Sequence, residues 1–207
     1  MSNSQAIDDR ADDNGHFSLR NADNTCGIGA YRSDLLATYM RWEHDPASMI
    51  GFGQRVPISA ERRQKWLEHQ LSNESMSRFT VYDLTAGTPT PAGFTVLTQA
   101  ADGLSAEYEL LIAPEARGRG LAKEATLLTV DYGFHIGSLR TIWLRAAARN
   151  AAALAVYQRC GFQEGGRLRQ TRLWLGEPCD EVFMDIQIGE PPRPSVIRVC
   201  PSVLGPP

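Results

Sequence analysis

The sequence predicts a mixed α/β domain, a mostly antiparallel sheet with one parallel strand pair, flanked by helices. Three observations carry that expectation. Short extended runs follow one another from Arg78 to Ala113 with connections too short for crossovers, which favours antiparallel neighbours. A helical pattern from Gly120 to about His135 then separates the Ser105–Ala113 run from the Thr141–Ala147 run, and such a crossover makes those two strands parallel. Finally, 207 residues with 43% apolar and 22% charged side chains suit one globular domain with a substantial core.

Residues 1–16 are rich in Asp, Asn and Ser and are expected to form a flexible tail. His16–Arg20 and Cys26–Tyr31 read as short extended pieces around NADN, and the GIG at Gly27–Gly29 reads as a bend in a strand. Ser33 is a candidate N-cap for a helix through Glu43, which Pro46 would end. PASMIGFGQRVP is expected as a loop, and Ser59 as the cap of a second helix from Ala60 to Leu71. These two helices and their loop suit either core packing or a wall over a substrate cleft.

RFTVYDL (Arg78–Leu84) and AGFTVLTQ (Ala92–Gln99) form a hairpin, and Ala101–Gly103 turns into the Ser105–Ala113 strand. Leu121, Ala125, Leu128 and Tyr132 share one face of the next helix, with Leu127, Val130 and Phe134 on its flank, so it should pack on the sheet. Asn150 is placed to cap a helix over Ala151–Cys160 that stops at Gly161. Phe162–Leu175 and Asp180–Ile188 form a last hairpin around GEPC, and the Pro-rich 189–207 stretch is expected to be irregular. The domain is therefore 17–188, between two tails.

A net charge of −3 gives no electrostatic case for nucleic acid or an anionic membrane. No apolar run approaches the roughly 20 residues that cross a bilayer, and the polar, acidic start is unlike a secretory signal, so cytoplasm is the expected location. Cys26, Cys160, Cys179 and Cys200, like the four histidines, are dispersed without metal-ligand spacing, so no metal is expected and the thiols should be reduced.

Ser105–Glu124 (SAEYELLIAPEARGRGLAKE) is the stretch that promises chemistry. It reads as a strand, a turn holding Arg117, Gly118, Arg119, Gly120 and Ala122, and a helix start. Small residues let a ligand approach the backbone, and the new helix offers unpaired N–H groups and the positive end of its dipole. Such a start binds phosphate, with Arg117, Arg119 and Lys123 adding positive charge. A tight turn with solvated arginines is the alternative for GRG by itself. It lacks the Gly-Lys-Ser/Thr of a nucleotide P-loop.

Arg117-x-x-Gly120-x-Ala122 resembles the Gln/Arg-x-x-Gly-x-Gly/Ala signature of the GNAT family of N-acetyltransferases. In RNAAALAVYQRCGF, Asn150, Tyr157 and Gly161-Phe162 sit where that family keeps its second motif. The resemblance covers roughly Phe17 to Ile188 and is nearest to the RimJ/RimL-like branch. It implies a strongly twisted sheet whose parallel strands splay apart, with acetyl-CoA as co-substrate in the splay. Pantetheine would bond backbone near Leu111, Ile112 and Ala113. The pyrophosphate would lie on the amides of Arg119, Gly120, Leu121, Ala122 and Lys123, beside Gly118 and Arg117, with Asn150 nearby.

Acyl transfer from a thioester to an amine needs a polarised carbonyl, a neutral amine and a proton for the departing thiolate. Strand N–H groups around Leu111 are candidates for the first. Tyr157 is the candidate acid, or alternatively an aromatic packing beside Leu154 and Phe162. Glu109 and Glu107 are the candidate bases. They share a face opposite Tyr108, while Ala106 and Tyr108 hold the positions where some relatives carry an acid or histidine; a bulge would reverse that facing. Arg145 stands where some relatives place a glutamate in the next strand. The expected activity is acetyl transfer, or transfer of another short acyl group, to a primary amine of a small molecule such as an amino sugar, polyamine or natural-product intermediate. A protein N-terminus is the alternative acceptor, and a non-catalytic acyl-CoA-binding regulator the alternative of a different class. The resemblance leaves a homodimer open.

Overall fold

The computed structural model describes residues 17–71, 75–192 and 195–196; the tail expected over 1–16 and most of that over 189–207 lie outside them. Eight strands form one sheet in the order β1-β2-β3-β4-β5-β6-β8-β7. They are β1 (Phe17–Arg20), β2 (Cys26–Ala30), β3 (Met76–Asp83), β4 (Thr90–Gln99), β5 (Ser105–Ile112), β6 (Thr141–Ala147), β7 (Gln163–Trp174) and β8 (Glu177–Gln187). Among the described strands only β5 and β6 run parallel, as the helical crossover between them requires. Their pairing covers Ser105–Thr141 to Glu107–Trp143 and then stops.

Five helices accompany the sheet: α1 (Leu36–Glu43), α2 (Pro46–Phe52), α3 (Ala60–Leu71), α4 (Leu121–His135) and α5 (Ala151–Arg159). Helix α1 packs on one face, where the Tyr39 hydroxyl lies 2.6 Å from Thr80 Oγ1. Helix α4 packs on the other, where Thr129 Oγ1 lies 2.8 Å from Thr95 Oγ1 and Tyr108 OH lies 3.0 Å from Thr126 Oγ1. Two cores result. One gathers Leu97, Ile142, Leu144, Met184 and Ile186, and the other Ile28, Tyr39, Trp42, Val81 and Val96. Helix α4 feeds both, giving Leu127, Val130 and Phe134 to the first and Leu121, Ala125 and Leu128 to the second.

Three local expectations change. Ser33 caps nothing; a 3-10 turn over Ser33–Leu35 precedes α1. Pro46 opens a helix instead of only closing one. Proline at the first helical position loses no hydrogen bond, and Asp45 caps the turn by accepting from Ser48 N at 3.0 Å. The expected loop therefore begins with α2, which Gly53 ends in the left-handed region (φ 70). The last hairpin turns at Leu175-Gly176, both with positive φ (54 and 84), which is the tight turn whose twist matches its strands, and not around GEPC. Ser59 does cap α3, accepting from Arg62 N at 3.3 Å, and Asn150 caps α5, accepting from Ala153 N at 3.2 Å.

Candidate active site

Where β5 and β6 part, a cavity of about 890 Å³ opens. It is lined by β5, the turn after it, the first residues of α4, the end of β6, α5, α2, and the β7–β8 hairpin. The register of β5 decides which backbone groups face it. Ala113 N donates to Ala92 O at 2.8 Å and Ala100 N to Ser105 O at 2.8 Å, so Leu111 and Phe94 are a mutually bonded pair. The N–H groups of Leu110 and Ile112 then point to the β6 side, beyond the last paired position. Within the stretch expected around Leu111, the N–H groups of Leu111 and Ala113 belong to the β4 side, which leaves those of Leu110 and Ile112.

Beyond the 3-10 turn at Pro114–Ala116, Gly118 (φ 77) and Gly120 (φ 80) take left-handed conformations that a side chain disfavours. A Cβ at either would meet nothing within 4 Å, so the turn presents bare backbone to open space. Gly120 gives α4 no side-chain cap. Lys123 N already bonds Gly120 O at 3.1 Å, and the Leu121 and Ala122 amides have no backbone partner among the described residues. Bare amides at a positive helix end are the donor set a diphosphate takes. Gly118, Gly120, Leu121, Ala122 and Lys123 all line the cavity.

The arginines of this turn have other engagements. Arg117 Nη2 donates to Asp45 Oδ2 and to Ser48 Oγ, both at 2.8 Å, tying the turn to the start of α2. Burial works against the Asp45 carboxylate, yet the bonds from Arg117 and Ser48 hold it below its ordinary range. Arg119 reaches away from the cavity to Asp83 at 3.0 Å. The positive charge expected of Arg119 at the phosphate is here paired with a carboxylate at the end of β3.

Tyr157 lines the cavity from α5 and is buried. Its ring centroid stands 5.9 Å from Phe162 and 6.3 Å from Tyr108. Burial, with Cys160 and Glu109 adding, raises its hydroxyl pKa, so the group stays protonated through neutral pH. Asn150 also lines the cavity, its amide nitrogen 3.8 Å from where a Cβ on Gly51 would stand.

Pairing of β5 with β4 is unbroken from Ala106 to Ile112, so no bulge reverses the facing. Glu107 and Glu109 share the α1 face with their β4 partners Thr98 and Val96, and with Arg78, which pairs with Val96 from β3. Tyr108 faces α4 and Tyr157. Arg145 Nε donates to Glu107 Oε1 at 2.8 Å, so the arginine standing in place of a relative's acid neutralises one of the two carboxylates. Glu109 has no hydrogen bond or ion pair among the described residues. Solvent reaches it, but the protein around it removes part of its hydration and raises its pKa; Glu107 adds to this, against Arg78, Arg145 and Arg63.

The segment read as a possible wall does line the cavity, through Ile50 and Phe52 of α2. Sequence reasoning missed the side opposite it, Arg172, Trp174 and Leu175 of the last hairpin. The hairpin lies so far along the chain that no local spacing announces it. α3, read as part of a possible wall, contributes no lining among its described side chains; Arg63 instead pairs with Glu43 and stacks 4.0 Å from the Trp66 ring centroid. Among the described residues, no group of three His, Cys, Asp or Glu lies close enough to hold a metal ion, and no helix is long and apolar enough to cross a membrane.

A sheet split at one parallel pair, with a glycine-lined helix start and a tyrosine in the split, defines an acyltransferase-type cleft. The family model of the acetyltransferase (GNAT) domain matches residues 28–163, and the chain belongs to that family. It is 42% identical over 64 residues to spermidine N(1)-acetyltransferase of Vibrio cholerae, a match over 31% of this chain and 37% of the relative. To the Escherichia coli spermidine N(1)-acetyltransferase it is 38% identical over 63 residues, 30% of this chain and 34% of the relative. These matches span little more than a third of the relatives' length. The fold resembles the crystal structure of spermidine N-acetyltransferase from Vibrio cholerae in complex with CoA and spermine (TM-score 0.73, 24% identity, 80% of this chain and 97% of that one). It also resembles that of the spermidine/spermine N-acetyltransferase SpeG from Vibrio cholerae in complex with manganese ions (TM-score 0.67, 25% identity, 79% and 92%).

Proposed function

We propose that the protein is an N-acetyltransferase that moves an acetyl, or another short acyl group, from acyl-CoA to a primary amine of a small molecule. The observation that carries this reading is the cavity at the β5–β6 split, which brings the bare helix start, Tyr157 and Glu109 into one space. Bound there, acyl-CoA supplies an activated thioester carbonyl. The Leu121 and Ala122 amides, at the positive end of α4, suit its diphosphate. Leu110 and Ile112 N–H groups, free of β4, are the donors for pantetheine and the developing oxyanion. Asn150 orients α5 and so Tyr157. Glu109 accepts the proton that an ammonium must lose before it attacks. Tyr157 returns a proton to the leaving thiolate, with Glu107 held in reserve by Arg145.

The spermidine acetyltransferases among the relatives favour a small-molecule acceptor over a protein N-terminus, and they draw the branch away from the RimJ/RimL-like one. We assign the working unit to 17–188, acting in the cytoplasm without metal, nucleic acid or membrane. A homodimer suits the edge strand β7, where Leu168 and Leu173 are exposed. The test is thiol release from acetyl-CoA against an amine panel. Amine-dependent release is expected. Tight acetyl-CoA binding with no release for any amine would replace this reading with a non-catalytic acyl-CoA-binding protein.

A further inference from the structure

We infer that the acceptor is an apolar monoamine, an aryl- or alkyl-substituted primary amine, and not a polyamine; this rests on the acyltransferase reading above. The first observation is the charge of the cleft. Among the described residues, the only carboxylates lining it are Glu107 and Glu109, against Arg117, Lys123, Arg145, Arg159 and Arg172. Glu107 is already bound by Arg145, at 2.8 Å. One unpaired carboxylate, Glu109, remains for the acceptor. A single ammonium matches it. Spermidine carries further ammonium groups, each with an ordinary pKa near 10.4, and these would meet arginine or open water without an anion to receive them.

The second observation is the apolar wall. Ile50 and Phe52 come from α2, and Trp174 and Leu175 from the hairpin turn. Arg172 fastens the two sides together: its Nη2 donates to Gly51 O at 3.2 Å, and its Nε lies 3.5 Å from Glu181. Leu175 is held in the left-handed region (φ 54) with 72% of its surface exposed. A branched apolar side chain in that conformation costs free energy, and its exposure costs more. The cost of exposure is relieved when an apolar body packs against it. An aromatic ring or short alkyl chain between α2 and the hairpin removes that surface from water while its amine reaches Glu109.

The reaction balances with these groups. The ammonium gives one proton to Glu109, the amine nitrogen bonds the thioester carbon, and the C–S bond breaks. The thiolate takes a proton from Tyr157, the nitrogen's second proton restores Tyr157, and Glu109 gives its proton to water, so that ammonium plus thioester yields amide, thiol and one proton released.

The experiment measures kcat/KM for thiol release from acetyl-CoA with 2-phenylethylamine, n-hexylamine and spermidine, alongside acetyl-CoA binding by calorimetry. A monoamine should exceed spermidine by at least about tenfold, the size of discrimination that apolar pockets achieve. Leu175→Glu, at an exposed turn that tolerates the change, should shrink that ratio by raising spermidine and lowering 2-phenylethylamine. Spermidine equal to or better than both monoamines overturns the inference, as does an unchanged ratio in Leu175→Glu. Acetyl-CoA binding without turnover of either monoamine overturns the acceptor class while leaving the donor site intact. No acetyl-CoA binding overturns the acyltransferase reading itself.

Discussion

Replacing Tyr157 with Phe separates the two roles this residue can have. The ring sits between Phe162 and Tyr108, at 5.9 and 6.3 Å between centroids, and Phe preserves those contacts. No hydrogen bond from the protein contributes to the raised pKa of the hydroxyl, whose causes are burial, Cys160 and Glu109. Deleting it therefore leaves no orphaned partner, and stability should stay within about 0.5 kcal/mol of the parent. Loss of a positioned general acid costs on the order of 10²–10⁴ in rate, or about 2.7–5.4 kcal/mol of activation free energy. The assay is pre-steady-state and steady-state thiol release, with acetyl-CoA affinity and denaturant unfolding measured on the same protein. The expected pattern is a collapsed kcat with donor affinity and unfolding midpoint unchanged. Tyr157→Ala provides the contrast, since removal of a buried aromatic ring costs about 3–5 kcal/mol of stability. A kcat for the Phe variant within about threefold of the parent refutes the assignment and gives the proton to water.

Further outcomes follow from the same geometry. Gly120→Asp should abolish acetyl-CoA binding in calorimetry, because it sets a carboxylate at the bare helix start; the open space around that position keeps the fold from being the cause, apart from about 1 kcal/mol for the left-handed backbone. Gly93→Ala should destabilise by about 1–3 kcal/mol or more in denaturant unfolding, since its Cβ would stand 2.2 Å from the Leu111 carbonyl oxygen. Glu109→Gln should erase the acid limb of the kcat/KM profile, which in the parent lies above the ordinary carboxylate range. Because folding raises the Glu109 pKa, its contribution to stability is present below the unfolded value of 4.5 and lost as pH rises through the folded one, so the Gln variant should be no less stable than the parent at pH 7.

How far the sequence foretold this molecule depends on how local each signal is. Gly120, Ala122 and Asn150 announce themselves because a helix start is written in a few adjacent residues. The parallel relation of β5 and β6 was legible for a similar reason: a helix between two strands leaves one handed route. α2 was hidden by a signal that points two ways, since proline stops a preceding helix and starts a following one, and only Asp45 before it discriminates. The role of Leu111 needed the hydrogen-bond parity of β4 and β5, which one residue of register inverts. The engagements of Arg117 with Asp45 and of Arg119 with Asp83 join residues far apart in the chain, as does the approach of Trp174 and Leu175 to α2. No local pattern encodes them.

The short pairing of β5 with β6 has a mechanical consequence. Five strands lie on one side of the split and three on the other, and the ladder between them covers only Ser105 to Glu107. Continuity of the molecule therefore leans on side-chain packing beneath the sheet and on α4, which roots Leu121 and Leu128 in one core and Val130 and Phe134 in the other. A molecule wedged into the split acts as mortar, bearing on both plates at once. Its occupancy should lengthen amide-exchange lifetimes in β6 and β8 as well as in the turn it touches. A small substitution within α4, far from any reacting atom, would let the plates shift and misalign Tyr157 with β5.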